Sequence, residues 1–349
     1  MKFGLFDHVD RNNLPLAQQF DERIEYVKLA EKLGFCNYHV AEHHATPLNM
    51  VPVPSVFLAA LARETKTIRL GALTYLLPLY SPLCLIEELS MLDHLTHGRL
   101  DLGVGRGVSA FELNYHNIDV KTSREVFQEI LDILKKGFTS ERLNHEGKHF
   151  TYKNVPMELK PFQKPFPAVW YPSSNEDGAK FAGVNGYHYV TLGPTSDAAK
   201  RIAAFRIALK ARGSAEHPLP MFEGGAVAGI NRKVLVADTD AEAVKLAEPN
   251  FQMWHGNLTK LARENAGGPV DAIHEIASLK KSMDEGVFIV GSPETVRREV
   301  EAQIKAMNCN YMGIAFQFGA LTAAETKRSI TLFAQEVMAK LPKTAAAAE

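Results

Sequence analysis

Four short stretches carry the side chains most able to do chemistry. Glu42-His43-His44 sets a carboxylate beside two imidazoles. Imidazole titrates near neutrality, so a histidine there can move a proton or stabilise a charged oxygen intermediate. A hydrogen-bonded pair that serves packing uses the same residue types. Gly103-Val104-Gly105-Arg106-Gly107 alternates glycine with other residues. Such a run turns tightly and exposes N–H groups, and the Arg106 guanidinium can grip a phosphate bidentately. It lacks the dinucleotide fingerprint, because position 108 is valine and no acidic ribose partner follows at the right distance. Ser173-Ser174-Asn175 has the residue types of a helix cap, and a capped helix N-terminus can also face a phosphate. His145-Glu146-Gly147-Lys148-His149 spells a zinc-protease motif, which needs a helix to place both imidazoles on one face. The central Gly147 and the alternation of Phe150-Thr151-Tyr152 point instead to a turn between two short strands. His94 and His97, near a helix end, read as partners for free carbonyls.

The elements that position these groups alternate. Strands are expected at Lys2–Phe6, Asn37–Ala41, Ile68–Leu77, Arg99–Val104, Ala168–Tyr171, Tyr187–Leu192, Lys233–Ala237 and Asn310–Phe316. Between them run helical periods such as Phe20, Ile24, Val27 and Leu33, stopped at Gly34, and Val126 to Leu134, closed at Gly137. Ser292-Pro293 and the Thr322/Glu325 spacing mark two late helix starts. Strand–helix alternation along the whole length requires a parallel sheet, closed as a barrel or open and doubly wound. A single domain is expected. Within it, about 241–286 reads as an insertion or mobile lid, and Lys343 to Glu349 as a frayed tail. The segment Leu85 to Leu95 is apolar on more than one side, so it buries two faces, one of them suited to a second subunit.

Composition narrows the class. The 349 residues are 46% hydrophobic and 23% charged, with 39 Lys+Arg against 40 Asp+Glu, a net charge of −1. That is the profile of a soluble globular protein with no electrostatic reason to bind nucleic acid or an anionic membrane. Cys36, Cys84 and Cys309 are too dispersed for a disulfide framework or zinc site and fit a reducing cytoplasm. No signal-like or membrane-spanning run is present in the sequence.

Taken in order, the motifs resemble the bacterial luciferase-like, flavin-dependent monooxygenases. The matching segments are Met1-Lys2-Phe3-Gly4, Gly34-Phe35 with Ala41-Glu42-His43-His44, and Leu70-Gly71 with Leu77-Pro78. Leu92-Asp93, His97-Gly98-Arg99 running into Gly103 to Gly107, Ser123-Arg124, Gly137-Phe138 and Gly291 to Thr295 continue the match. The resemblance implies a luciferase-like (β/α)8 TIM barrel with insertions that binds reduced FMN at the C-terminal face of its strands. It makes His43 the catalytic histidine beside the flavin C4a edge, with His44 and Glu42 shaping its hydrogen bonding. It gives the FMN phosphate to Arg106 and Arg124, and to the helix start at Ser174 and Asn175. Leu73-Thr74 would be a non-proline cis peptide under the flavin ring.

The implied activity is two-component oxygenation of a small organic substrate such as an aldehyde or ketone, through a C4a-peroxyflavin. A separate NAD(P)H flavin reductase would deliver FMNH2, and the oxygenase would be a homodimer without metal. Tyr75, Tyr80, Phe111 and Trp254 are candidate pocket walls. Two departures argue against light emission: Gly105 replaces the reactive cysteine of luciferase α chains, and the loop after the fifth strand lacks their acidic residue. Rival readings are an F420-dependent hydride-transfer enzyme of the same superfamily and a non-catalytic flavin-binding protein.

Overall fold

A computed structural model describes residues 1–265 and 278–341. The strands are β1 (Lys2–Asp7), β2 (Asn37–Val40), β3 (Arg69–Leu76), β4 (Leu100–Gly105), β5 (Arg142–Glu146), β6 (Thr151–Pro156), β7 (Val169–Pro172), β8 (His188–Thr191), β9 (Ala228–Val236), β10 (Phe288–Gly291) and β11 (Tyr311–Ala315). The helices are α1 (Leu16–Lys32), α2 (Pro54–Glu64), α3 (Pro82–Leu95), α4 (Ala110–Tyr115), α5 (Ser123–Thr139), α6 (Glu176–Asn185), α7 (Thr195–Arg212), α8 (Asp240–Glu264), α9 (Leu279–Asp284), α10 (Pro293–Met307) and α11 (Ala323–Leu332).

Eight parallel strands close on themselves in the order β1-β2-β3-β4-β7-β8-β9-β11, and the fold is a (β/α)8 barrel. β9 makes the closure. Its first residues pair with β8 on one side and β11 on the other, as in Tyr189↔Ala228 and Tyr311↔Gly229. Its last four residues pair with β10, from Phe288↔Lys233 to Gly291↔Val236. β5 and β6 form a separate antiparallel hairpin, so His145 and His149 flank a turn and not a helix face. His145 Nε2 faces Glu129 of α5 at 3.1 Å. Among the described residues no cluster of His, Cys, Asp and Glu is arranged to hold a metal ion, and no helix is long and apolar enough to cross a membrane.

Several boundaries differ from those read in the sequence. The strand expected at Lys233 begins five residues earlier, at Ala228, because Asn231-Arg232-Lys233 breaks the apolar run that would mark it. β10 has no counterpart among the expected strands. Gly137 does not close its helix: α5 continues to Thr139, and the missing side chain lets the helix lie against Ile86 of α3. The last helix turns from α to π geometry at Phe333. Of the stretch 241–286, residues to Glu264 belong to α8, whose Phe251 and Trp254 pack on Phe288 of β10. Residues 266–277 of that stretch, and the tail Lys343 to Glu349, lie outside the described residues. On α3, Leu85, Ile86, Leu89 and Leu92 are buried, while Met91 and Leu95 are exposed on the single chain.

Alternate residues of each barrel strand face inward. At the N-terminal end they form a buried polar plug. Asp101 of β4 accepts from Arg69 Nε at 2.7 Å and contacts His39 Nε2 at 3.0 Å, and the Tyr311 hydroxyl donates to Asn37 at 3.0 Å. Gly4 has no side chain because Asn37 and the Tyr311 hydroxyl occupy that space. Burial alone would raise the Asp101 carboxyl; the Arg69 charge and His39 hold it down at about 2. A carboxyl depressed on folding stabilises the fold above its unfolded pKa, near 4, and that contribution is lost as the pH falls through 2. The shift corresponds to about 2 kcal/mol. Asp101→Asn is therefore expected to be less stable than the parent at about pH 6. It should lose less of its remaining stability between about pH 4 and 2, as measured by urea unfolding across that window.

Candidate active site

The two backbones β1 and β2 stay paired until Ala41 N–H donates to Asp7 O at 2.8 Å, and the next residues turn outward over the C-terminal end of the barrel. Asn49 pins this turn by donating to Ala41 O at 2.8 Å. Glu42, His43 and His44 then diverge. The Glu42 carboxylate is buried and accepts from Leu76 N–H at 2.9 Å and the Tyr80 hydroxyl at 3.0 Å, with His44 Nε2 at 2.8 Å. It thus ties β2 to the end of β3. Burial nevertheless keeps its carboxyl above the ordinary glutamate range, against the pull of His44 and the Leu76 amide.

His43 does not touch Glu42. Its partner is Glu112 of α4, whose Oε1 lies 3.1 Å from His43 Nδ1 and whose Oε2 accepts from His44 N–H at 2.9 Å. The expectation that Glu42 and His44 would shape His43's hydrogen bonding is corrected here: those two bond to each other, and Glu112 holds His43. Burial would raise the Glu112 carboxyl, but the bond and charge of His43 bring it below its usual value. With Glu112 ionised, His43 Nδ1–H donates to it, and Nε2 is the ring nitrogen without a hydrogen bond among the described residues. The ring also stacks on His8 with centroids 5.7 Å apart.

Chain order hides Glu112, which lies 69 positions from His43. One local signal was available: Ser109 and Glu112 have N-cap spacing, and Ser109 Oγ accepts from Glu112 N–H at 3.3 Å.

β4 and β7 are hydrogen-bonded neighbours, which brings Arg106, just beyond β4, to the same end as the loop after β7. Arg106 and Arg124 are exposed, and neither guanidinium has a hydrogen bond or carboxylate partner among the described residues. Both are close enough to Tyr171 to draw down a hydroxyl that burial raises. Asn175 caps α6, its side chain accepting from Gly178 N–H at 2.8 Å, and Ser174 beside it is exposed. The Leu73–Thr74 peptide is cis, and Thr74 Oγ1 fills the space that a side chain at Gly105 would need. The candidate walls serve varied ends. Tyr75 is buried with its hydroxyl 2.7 Å from Ser55 Oγ, Tyr80 holds Glu42, Phe111 is half-buried, and Trp254 belongs to the packing under α8.

With this geometry in hand, comparison with known proteins decides the lineage. The profile of the luciferase-like monooxygenases matches residues 1–307. The chain belongs to that family. It is 33% identical to the uncharacterized protein y4wF of Sinorhizobium fredii, with 92% of each chain covered. It is 30% identical over 190 residues to the oxygenase component of the flavin-dependent trigonelline monooxygenase of Acinetobacter baylyi, covering 53% of this chain and 52% of the relative. Two solved structures share the fold. The oxygenating constituent of 3,6-diketocamphane monooxygenase from Pseudomonas putida, in complex with FMN, has a TM-score of 0.80 at 23% identity, with 99% of both chains covered. An F420-dependent secondary alcohol dehydrogenase has a TM-score of 0.73 at 17% identity, covering 97% of this chain and 98% of the other.

The two carboxylates make separable contributions. Glu42→Ala strands the Leu76 amide and the Tyr80 hydroxyl and is expected to cost about 3 kcal/mol of unfolding free energy. Glu112→Ala leaves the His44 amide and a part-exposed His43 ring behind, and should cost about 1 to 2 kcal/mol. Chemical denaturation of both variants measures this, and an equal loss for the two would contradict the difference in how deeply the stranded partners lie.

Proposed function

We propose that this protein is the oxygenase component of a two-component flavin monooxygenase, using reduced FMN and O2 to oxidise a small organic substrate. What supports this most is one pairing at the C-terminal face of the barrel: a histidine fixed by Glu112 with Nε2 free, and two guanidinium groups left without an internal partner. An unpaired guanidinium at a strand end suits a phosphate monoester, and two of them beside the capped start of α6 suit it better. Arg106, Arg124, Ser174 and Asn175 would hold the FMN phosphate, with Leu73 and Thr74 under the ring. Reduced FMN, when bound, supplies the electrons that activate O2.

The chain's own part is acid–base work. His43 Nε2 accepts or returns a proton, while Glu112 keeps the imidazole in one tautomer and one orientation. Glu42 holds the end of β3 and the Tyr80 segment in place around that exchange. The FMN complex of the 3,6-diketocamphane monooxygenase constituent supports FMN as the cofactor, and the reducing equivalents would come from a separate NAD(P)H flavin reductase. Met91 and Leu95 on α3 supply the apolar face for a homodimer.

The decisive experiment supplies photoreduced FMN and follows O2 uptake, alongside FMN titrations in both redox states. Tighter binding of the reduced form is expected. Arg106→Ala and Arg124→Ala should each weaken FMN binding about 10- to 100-fold, the range for a charge-assisted pair. His43→Ala should keep FMN and lose about 10²- to 10⁴-fold in turnover. Hydride transfer from F420 without O2 uptake would replace this reading with the deazaflavin one. Full activity in His43→Ala would make His43 a packing residue.

A further inference from the structure

On β9, side chains alternate across the barrel wall. Arg232 points outward, donating to Gln303 of α10 at 2.7 Å and to Gly193 O at 2.9 Å. Asn231 and Lys233, on either side of it, therefore face inward. Asn231 occupies the space beside Gly313 inside the barrel, and Lys233 stands one layer higher, at the C-terminal mouth.

Lys233 is only 9% exposed. A buried ammonium ordinarily sits against a carboxylate. Here, among the described residues, no carboxylate oxygen lies within ion-pair distance of Nζ and no acceptor bonds to it. Its near neighbours are rings: Nζ is 4.1 Å from the centroid of Trp254 and 5.8 Å from that of Phe288. Asp10 and Asp7 offset the Lys233 charge from beyond ion-pair distance, and their own bonds go elsewhere. Asp7 bonds Arg23 at 2.8 Å and the Tyr38 hydroxyl, and Asp10 accepts from Gly319 N–H at 2.9 Å. Two more polar atoms are buried without a partner, the Trp254 indole nitrogen and Asn231 Oδ1. The mouth of β9 therefore holds a cation and an indole N–H with no acceptor, beside an aromatic face.

The ammonium also reaches the His43 neighbourhood. Burial, Lys233 and His43 together push His8 well below the ordinary histidine range, and His8 is the ring stacked on His43. The uncommitted cation and the free histidine nitrogen thus share one end of the barrel.

We propose that Lys233 is the substrate-recognition residue of this site and that the substrate is a small organic carboxylate, its anionic oxygen on Nζ and its apolar or aromatic body against Trp254. This rests on the flavin reading above and names the substrate class for the same site. A carboxylate supplies the acceptor that Lys233 lacks, and a charge-assisted bond at a buried site is worth roughly ten- to a hundredfold in affinity. A terpene hydrocarbon offers the ammonium no acceptor, and a ketone oxygen offers an uncharged, weaker one.

The test titrates the full chain with benzoate, phenylacetate and the neutral isostere benzamide, by calorimetry and by the fluorescence of Trp170 and Trp254. The parent should bind at least one of the two carboxylates saturably and prefer benzoate to benzamide. Lys233→Met, close in size, should lose that binding about 10- to 100-fold while its FMN affinity stays within about threefold of the parent. Lys233→Arg should keep the preference for the anion, which shows that the loss in Lys233→Met is one of charge and not of packing. Three results overturn the proposal: no saturable binding of either carboxylate, equal binding of benzamide, or unchanged benzoate affinity in Lys233→Met. A Lys233→Met variant that loses FMN instead would assign the ammonium to the cofactor and overturn it too. Benzoate binding by a parent that binds no FMN would sink the flavin reading and leave the anion site standing.

Discussion

A closed ring of eight parallel strands leaves no free edge, and half of every strand must point into a narrow interior. Everything else in this protein depends on how that interior is filled. At the N-terminal end it is filled with hydrogen-bonded polarity. Asp101, Arg69, His39, Asn37 and Tyr311 bond to one another, with His39 Nδ1 the one buried side-chain atom of the five left without a partner, and the absence of a side chain at Gly4 makes room for them. At the C-terminal end satisfaction stops: among the described residues His43 has one nitrogen free, Lys233 lacks an acceptor, and Arg106 and Arg124 lack internal partners. Unsatisfied polar groups are costly in a stable interior and useful in a binding site. One barrel carries a finished end and an open end.

The open end is nevertheless held firmly. Glu42 reaches from the end of β2 to the Leu76 amide and the Tyr80 hydroxyl, so two neighbouring strands share one carboxylate. Glu112 reaches back from α4 to His43 and to the backbone of His44. The run Glu42-His43-His44 is thus clamped twice, once from below and once from the side. Its consecutive residues play different parts because alternate side chains leave the backbone in different directions.

Much of this architecture is legible in the sequence, and the exceptions have physical reasons. The strands whose ends carry Glu42 and Arg106 are bounded by turn residues and keep one apolar face, Tyr38 and Val40 in the first and Leu100, Leu102 and Val104 in the second, so their period shows. β9 does not show it: Asn231 and Lys233 put polar groups on the barrel's inner face, and Arg232 puts one on the outer. Its start was therefore read five residues late. β10 is four residues long and adjoins the weakest part of the pattern. The hairpin at His145 to His149 was readable because Gly147 forbids the helix that zinc chemistry would need. Glu112 was not, because its bond to His43 spans 69 positions and only the Ser109 cap hints at why it sits there.

The forking of β9 has a consequence for how such a barrel can change. Below Lys233 the strand belongs to the ring, pairing with β8 and β11; from Lys233 upward it pairs with β10. The fork lies across the barrel from β3 and β4, and among the described residues no hydrogen bond or ring contact joins its neighbours Trp254 and Phe288 to the Glu42 or the Glu112 clamp. Side chains on this lip can be exchanged without crossing the bonds that hold His43. The proposed sites of selectivity and reactivity thereby fall on separate walls of one vessel, free to drift at different rates.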